Sequence, residues 1–131
     1  MAYVDGFVIP VPKSKLAAYR KWAELGRKIW MEHGAVDYKE CVGDAMFSIF
    51  PDGKGGWKKA PSQFPKMAKA KRGEVILFSF IVFRSKVHRD RVNKKAYADP
   101  RMATLDPSTM PVDPKRFGYG GFKVLVDGKG K

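Results

Sequence analysis

The 131-residue sequence predicts an α+β domain whose elements run β-α-β-β-α-β, with one four-stranded antiparallel sheet. Three observations lead there. Residues 74–83 read EVILFSFIVF, apolar on both faces but for Ser79 after Glu74, the pattern of a strand at the centre of a sheet. Residues 15–33 and 85–98 carry apolar stripes at steps of three and four, and Ser14 and Ser85 stand at their starts as helix caps do. Residues 3–11 and 118–126, YVDGFVIPV and GYGGFKVLV, are β-branched and aromatic runs at opposite ends of the chain. A chain of this length holds one core, so residues 1–131 are read as a single domain.

The first strand is expected to end near Ile9, because Pro10 and Pro12 cannot donate to a ladder. Ser14 is then the cap of the first helix, whose buried stripe is Leu16, Tyr19, Ala23, Gly26, Trp30 and His33. Glu24 and Lys28 form a favourable i,i+4 pair, and Gly34 sits where a left-handed C-cap glycine belongs. Residues 35–42, AVDYKECV, alternate: Val36, Tyr38, Glu40 and Val42 share one face, and Asp37, Lys39 and Cys41 the other.

Residues 43–73 read as an irregular basic insertion. PDGKGG is turn chemistry, FSIF at 47–50 is a short extension of the second strand, and 61–70 has room for a helical turn. The second helix starts at a Ser85 cap and runs to about Ala98, on a thin stripe of Val87, Val92, Ala96 and Tyr97 with Asp90 facing Lys94. A connector with Pro107, Pro111 and Pro114 comes next. Gly120 and Gly121 allow a bulge or a close backbone approach in the last strand, and 127–131 is a frayed tail.

This order is the split βαβ pattern of ferredoxin-like folds. Right-handed crossovers put both helices on one face of the sheet and leave the other bare. The central strand is apolar on both sides, with Ile76, Phe78, Phe80 and Val82 opposing Val75, Leu77, Ile81 and Phe83. A bare face of that composition exceeds the roughly 300–600 Å² patch that monomers usually carry. A homodimer with two sheets facing each other is therefore expected.

Three blocks, YVDGFVIPVPKSKLAAYRKWAELGRKIWMEHGAVDYKECVGD, FSFIVFRSKVHRDRVNKK and DPKRFGYGGFKVLVD, resemble the bacterial YbaA-like family. The resemblance covers most of the chain. It implies a domain of unknown function within the dimeric α/β-barrel superfamily, whose members pair two ferredoxin-like sheets into a barrel. Residues 43–71 are the most divergent, and nothing is carried over there. The family supplies no catalytic residue. The wider superfamily includes cofactor-free monooxygenases acting on aromatic substrates, haem-handling enzymes and ligand-binding stress proteins, and fold kinship does not choose among them.

The chain holds 26 Lys and Arg against 13 Asp and Glu, a net charge of +13. The densest block is Lys54, Lys58, Lys59, Lys66, Lys69, Lys71 and Arg72, interleaved with Trp57 and Phe64. Cations that meet phosphates beside rings that stack on bases suggest RNA or another polyanion. The plainer reading is a solvated lysine-rich loop. No RNA-binding sheet motif or zinc knuckle is present, and GKGG lacks the spacing of a phosphate loop. One cysteine, Cys41, makes no internal disulfide, which fits a reducing cytoplasm. No apolar run is long enough to cross a membrane, and the N-terminus has no signal-peptide pattern.

The candidate ligand-binding residues are His33, Asp37, Tyr38, Arg84, His88 and Arg91. His33, near a helix C-terminus, is either a proton-transfer group or a partly buried cap. Asp37, Tyr38 and Cys41 lie either beside a pocket or on a solvated edge strand, and Cys41 reads as a strand residue rather than a nucleophile. Arg84, His88 and Arg91 flank a helix N-terminus, which favours a small carboxylate or phosphate; otherwise they belong to a solvated basic helix. His33 and His88 are the only histidines, and no group has metal-ligand spacing, so no metal or cofactor is expected. The leading function is a cytoplasmic homodimer with an apolar pocket between sheet and helices, binding a small organic or anionic ligand, with cofactor-free turnover open. The alternative is an RNA or polyanion-binding module built on residues 54–72.

Overall fold

The computed structural model describes residues 1–105 and 109–128. Strand β1 (Tyr3–Pro12) passes through a 3-10 turn, Lys13–Lys15, into helix α1 (Leu16–Glu32). Strands β2 (Asp37–Val42), β3 (Phe47–Pro51) and β4 (Trp57–Pro61) and a short helix α2 (Phe64–Met67) lead to β5 (Glu74–Phe83). Helix α3 (Lys86–Tyr97), 3-10 turns at Pro100–Thr104 and Pro114–Arg116, and β6 (Gly118–Lys123) follow among the described residues. The main sheet has the order β2-β5-β1-β6, and every neighbouring pair is antiparallel. The protein is thus α+β, with its two long helices on one face of this sheet.

Local chemistry accounts for these elements and for where they depart from expectation. Strand β1 continues through both prolines to Pro12. Its ladder with β6 ends at Val8–Gly118, while its ladder with β5 runs on to Pro12–Glu74. Beyond Val8 one edge of β1 has no partner strand among the described residues, and a proline can sit there without removing a ladder bond. Ser14 makes no cap, because the turn at Lys13–Lys15 feeds straight into α1 and Lys15 holds the N-cap position. Glu24 pairs with Arg27 at 3.1 Å rather than with Lys28. Gly34 ends the helix at φ 111°, a conformation L side chains avoid.

Residues 43–73 are more ordered than their composition suggests. Strands β3 and β4 form a two-stranded hairpin, with Asp52 accepting from the Lys54 and Gly56 N–H groups in the turn. The Asp-Gly turn chemistry between FSIFP and WKKAP sets the register of this ladder. In α3 the buried positions are His88, Val92 and Ala96, while Val87 and Tyr97 are exposed. The Ser85 side chain caps that helix by accepting from the His88 N–H at 3.1 Å. Strand β6 stops at Lys123, and Leu125 and Val126 are exposed. Gly121 supplies the anticipated close approach: a Cβ there would run into the Tyr3 hydroxyl. Pro107 and residues 129–131 of the tail lie outside the described residues.

The core lies between the sheet and α1 and α3. Ile9, Val11, Tyr19, Ala23 and Leu77 form one cluster; Ile29, Trp30, Ile81, Phe83, Val92 and Ala96 anchor the other. Burying each of the larger side chains is worth roughly 1.5–3 kcal/mol. A buried polar knot ties α3 and β6 to β1. Asp5, 1% exposed, meets Arg89 at 3.3 Å, the Asn93 amide at 3.3 Å and the Tyr119 hydroxyl at 3.4 Å. Burial raises the Asp5 carboxyl pKa, against the lowering pull of Asn93 and Arg89. Arg116 clamps the connector to β5 through Glu74, at 2.6 and 2.8 Å, and also holds Asp113.

The opposite face of the sheet carries Val4, Val8, Phe78, Phe80 and Phe122 around a shallow apolar depression of about 690 Å³. Phe78 is 45% exposed and Phe122 60%. Phe64 of α2 reaches one side of this face, its ring 6.0 Å from that of Phe78.

Candidate functional site

Sequence alternation along β2 turns Tyr38, Glu40 and Val42 toward α1. Register does the rest: Glu40 lies opposite Ser79 of β5. Helix periodicity brings Tyr19 over both of them. The Glu40 carboxylate accepts from the Tyr19 hydroxyl at 2.7 Å, from the Tyr38 hydroxyl at 2.8 Å and, through a short contact, from Ser79 Oγ. A polar side chain placed against a helix must find partners, and here the three partners are hydroxyls, none of them a cation.

Two cavities meet at this cluster, and Tyr19, Ala23, Tyr38 and Glu40 line both. One, of about 430 Å³, opens past Arg20, Glu24 and Arg27 of α1. The other, of about 250 Å³, is walled by Phe7, Trp22, Trp30, Ile81, Met102 and Phe117, among others. The small side chains at Ala23 and Gly26 make this room. At Gly26 a Cβ would stand 3.0 Å from the Tyr38 hydroxyl oxygen. The Trp22 indole N–H is buried and has no hydrogen-bond acceptor among the described residues. Burial, followed by the neighbouring Glu40 charge and hydrogen bond, pushes the phenols of Tyr19 and Tyr38 well above their ordinary range. Both therefore stand as hydrogen-bond donors at neutral pH.

Of the six residues singled out from sequence, Tyr38 lies in this site. Asp37 projects from the opposite face of β2 and pairs with Lys39 at 2.6 Å, which lowers its pKa. Cys41 shares that face and is exposed. His33 binds Asp99 at 2.8 Å, part of a knot in which Arg101 also holds Asp99 and Glu32. His88 is buried, its Nδ1 accepting from the Arg84 N–H at 2.9 Å and its Nε2 facing the Gly34 backbone. Burial first, then the Arg84 and Arg91 charges, lower its pKa and keep the ring neutral. Arg84, just ahead of α3, and Arg91, on it, are exposed and line neither cavity at Glu40. Tyr19, Trp22, Glu40 and Ser79 belong to the site and are not among the residues that the sequence singles out.

The basic block is spread over the hairpin and the chain between it and β5. Lys54 lies in the turn, Lys58 and Lys59 on β4, and Lys66 on α2. Lys69, Lys71 and Arg72 occupy the link to β5. Trp57 is 73% exposed at the start of β4, and Lys59 Nζ sits 3.9 Å from the Phe47 ring centroid. Among the described residues no group of His, Cys, Asp and Glu side chains could hold a metal ion. Nor is any described helix long and apolar enough to cross a membrane.

Comparison with known proteins adds a family. Residues 2–114 match the family described as "Protein of unknown function (DUF1428)". The chain is 41% identical over 127 residues to "Uncharacterized protein YbaA" of Escherichia coli K12, an alignment covering 97% of this chain and 99% of that protein. The same identity and coverage hold for the protein of that description from Shigella flexneri. A solved structure described as "The crystal structure of AtUAH in complex with glyoxylate" aligns at TM-score 0.36 and 17% identity, over 90% of this chain and 26% of that one. A likeness that weak carries no argument. The sequence relationship does: the chain belongs to the bacterial YbaA-like family of unknown function, DUF1428.

Proposed function

We propose that the protein binds a small organic molecule between α1 and the sheet, at the Tyr19–Glu40–Tyr38–Ser79 cluster, and acts as a cytoplasmic homodimer of ferredoxin-like subunits paired sheet to sheet. One observation carries the binding site. A carboxylate with two tyrosines and a serine on it stands between an aromatic-walled cavity and one lined by charged residues of α1, beside an indole N–H that lacks an acceptor among the described residues. Pockets that bind small molecules are built this way, with mostly apolar walls and a few convergent polar groups. Glu40 would accept from a ligand hydroxyl or N–H, and Trp22 would donate to a ligand oxygen. The hydroxyls can rotate, so the cluster can hand a proton-bearing bond to a ligand without moving the backbone. Pairing is supported by the exposed Phe78 and Phe122 on an otherwise apolar sheet face.

Native mass spectrometry of freshly purified protein at moderate salt tests both parts. The expected species has about twice the 14.7 kDa chain mass and carries a small adduct that Tyr38→Phe and Glu40→Gln weaken. A bare monomer contradicts the pairing. An adduct that survives both substitutions contradicts the site.

A second reading rests on the hairpin, where the exposed Trp57 stands among Lys54, Lys58 and Lys59. It is a stacking platform within a cationic arm, suited to single-stranded RNA. RNA affinity that falls steeply between about 50 and 200 mM salt, and falls again in Trp57→Ala, supports it. Salt-independent binding or none removes it.

A further inference from the structure

We propose that the ligand of the Glu40 site is an organic acid whose carboxylate is held at the cavity mouth by Arg20. The proposal rests on the binding-site reading above and narrows it to a chemical class. Four charged residues line the 430 Å³ cavity: Arg20, Glu24, Arg27 and Glu40. Glu24 and Arg27 neutralise each other at 3.1 Å. Glu40 is engaged by three hydroxyls. Arg20 alone of the four has no ion-pair or side-chain hydrogen-bond partner among the described residues. It lies on the exposed side of α1, next in sequence to Tyr19 and one turn from Ala23, two residues that line both cavities.

The arrangement has a direction. The guanidinium fork matches a carboxylate in two parallel N–H···O bonds, and it is less strongly hydrated than an ammonium group, so it exchanges water for an anion readily. Glu40 repels an anion, which keeps the acid end of the ligand toward Arg20. The apolar body then extends past the tyrosines toward Trp22, Trp30 and Phe117, where the walls are aromatic. A ligand donor in its middle meets Glu40, and an acceptor on its ring meets the Trp22 N–H. The net charge of +13 raises the local concentration of such anions further. Arg84 and Arg91 make no such site, because neither lines the cavity.

The test compares 2-naphthoate with 2-naphthamide, which share rings and size and differ in charge. Binding is read by quenching of tryptophan fluorescence at about 50 mM salt. Naphthoate should bind the wild-type protein at least tenfold more tightly than the amide. Arg20→Ala should bring naphthoate down to the amide's affinity and leave the amide unchanged, Arg20→Lys should restore part of the difference, and Arg84→Ala should leave it intact. Arg20 is exposed, so these variants keep the fold, which circular dichroism verifies. Equal affinities in the wild type, or an acid preference that survives Arg20→Ala, overturn the acid assignment and leave the cavity standing. If neither probe binds at millimolar concentration, the binding-site reading fails and this proposal with it.

Discussion

Removing the Glu40 carboxylate tests the candidate site most directly. In Glu40→Ala three hydroxyls lose their acceptor at once. Tyr19 and Ser79 are both 3% exposed, so theirs are left in a nearly dry environment, whereas Tyr38 is only partly buried. An unsatisfied buried hydroxyl costs about 1–3 kcal/mol, while the desolvation of Glu40 itself is relieved and water from the adjoining cavities takes up part of the loss. The balance predicts that Glu40→Ala destabilises the fold by about 2–4 kcal/mol. Glu40→Gln keeps one acceptor oxygen, so its loss should be nearer ~1 kcal/mol. Urea unfolding midpoints at constant slope would read both values. Tyrosine absorbance on alkaline titration gives an independent reading. The raised phenols keep their protons in the fold where the unfolded chain, with an ordinary tyrosine pKa of about 10, releases them. Their stabilisation is therefore full below about pH 10 and lost as pH rises above it. In Glu40→Gln the two phenols should ionise at lower pH than in the wild type, because the neighbouring negative charge is gone. A Glu40→Ala protein as stable as the wild type, with unchanged tyrosine titration, would mean that the carboxylate does not hold these hydroxyls.

Two further substitutions probe the surroundings of the site. Arg116 holds the Glu74 carboxyl down to about 2 from an ordinary 4.5, so stability from this pair is present above pH 4.5 and lost as pH falls toward 2. Arg116→Ala should lower stability at pH 7 and flatten the acid limb of a stability–pH curve; an unchanged acid limb would refute the clamp. Gly26→Ala gains up to about 1 kcal/mol of helix propensity but sets a methyl group 3.0 Å from the Tyr38 hydroxyl. It should leave thermal stability within about 1 kcal/mol of wild type while weakening naphthoate binding, and full binding would show that Tyr38 is not needed where it stands.

The sheet was legible in the sequence because its signals are local. Strand β5 is marked by ten residues with one polar interruption after Glu74, α3 by its Ser85 cap, and the end of α1 by Gly34. The site was less legible because it is made by register. Glu40 and Ser79 each read as a lone polar residue on a face expected to be buried, and only the β2–β5 pairing puts one opposite the other. Two isolated polar residues facing a core were a usable signal, since each must find a partner there. His88 shows the converse. Its spacing from Arg84 and Arg91 suggests an anion site, yet the helix start turns its ring inward to accept the Arg84 backbone N–H. The hairpin was hidden for a third reason: its strands pair only with each other, and most of their residues remain exposed, so no burial pattern announces them.

The helix-facing side of the sheet thus holds two carboxylates with different environments. Asp5 faces a guanidinium, an amide and a phenol, contributed by α3 and β6. Its charge is balanced by Arg89, and removing that cation would strand a carboxylate that is 1% exposed. Such a group is fixed for as long as the fold persists. Glu40 has only neutral partners, each a hydroxyl free to turn about its own C–O bond. Letting one of them turn to a ligand costs a single hydrogen bond and leaves the other two in place. The difference between the two carboxylates is the difference between a rivet and a socket. Only the one surrounded by rotatable, uncharged donors borders the cavities, and that coincidence of exchangeable bonding with open volume is why binding is assigned to Glu40 and structure to Asp5.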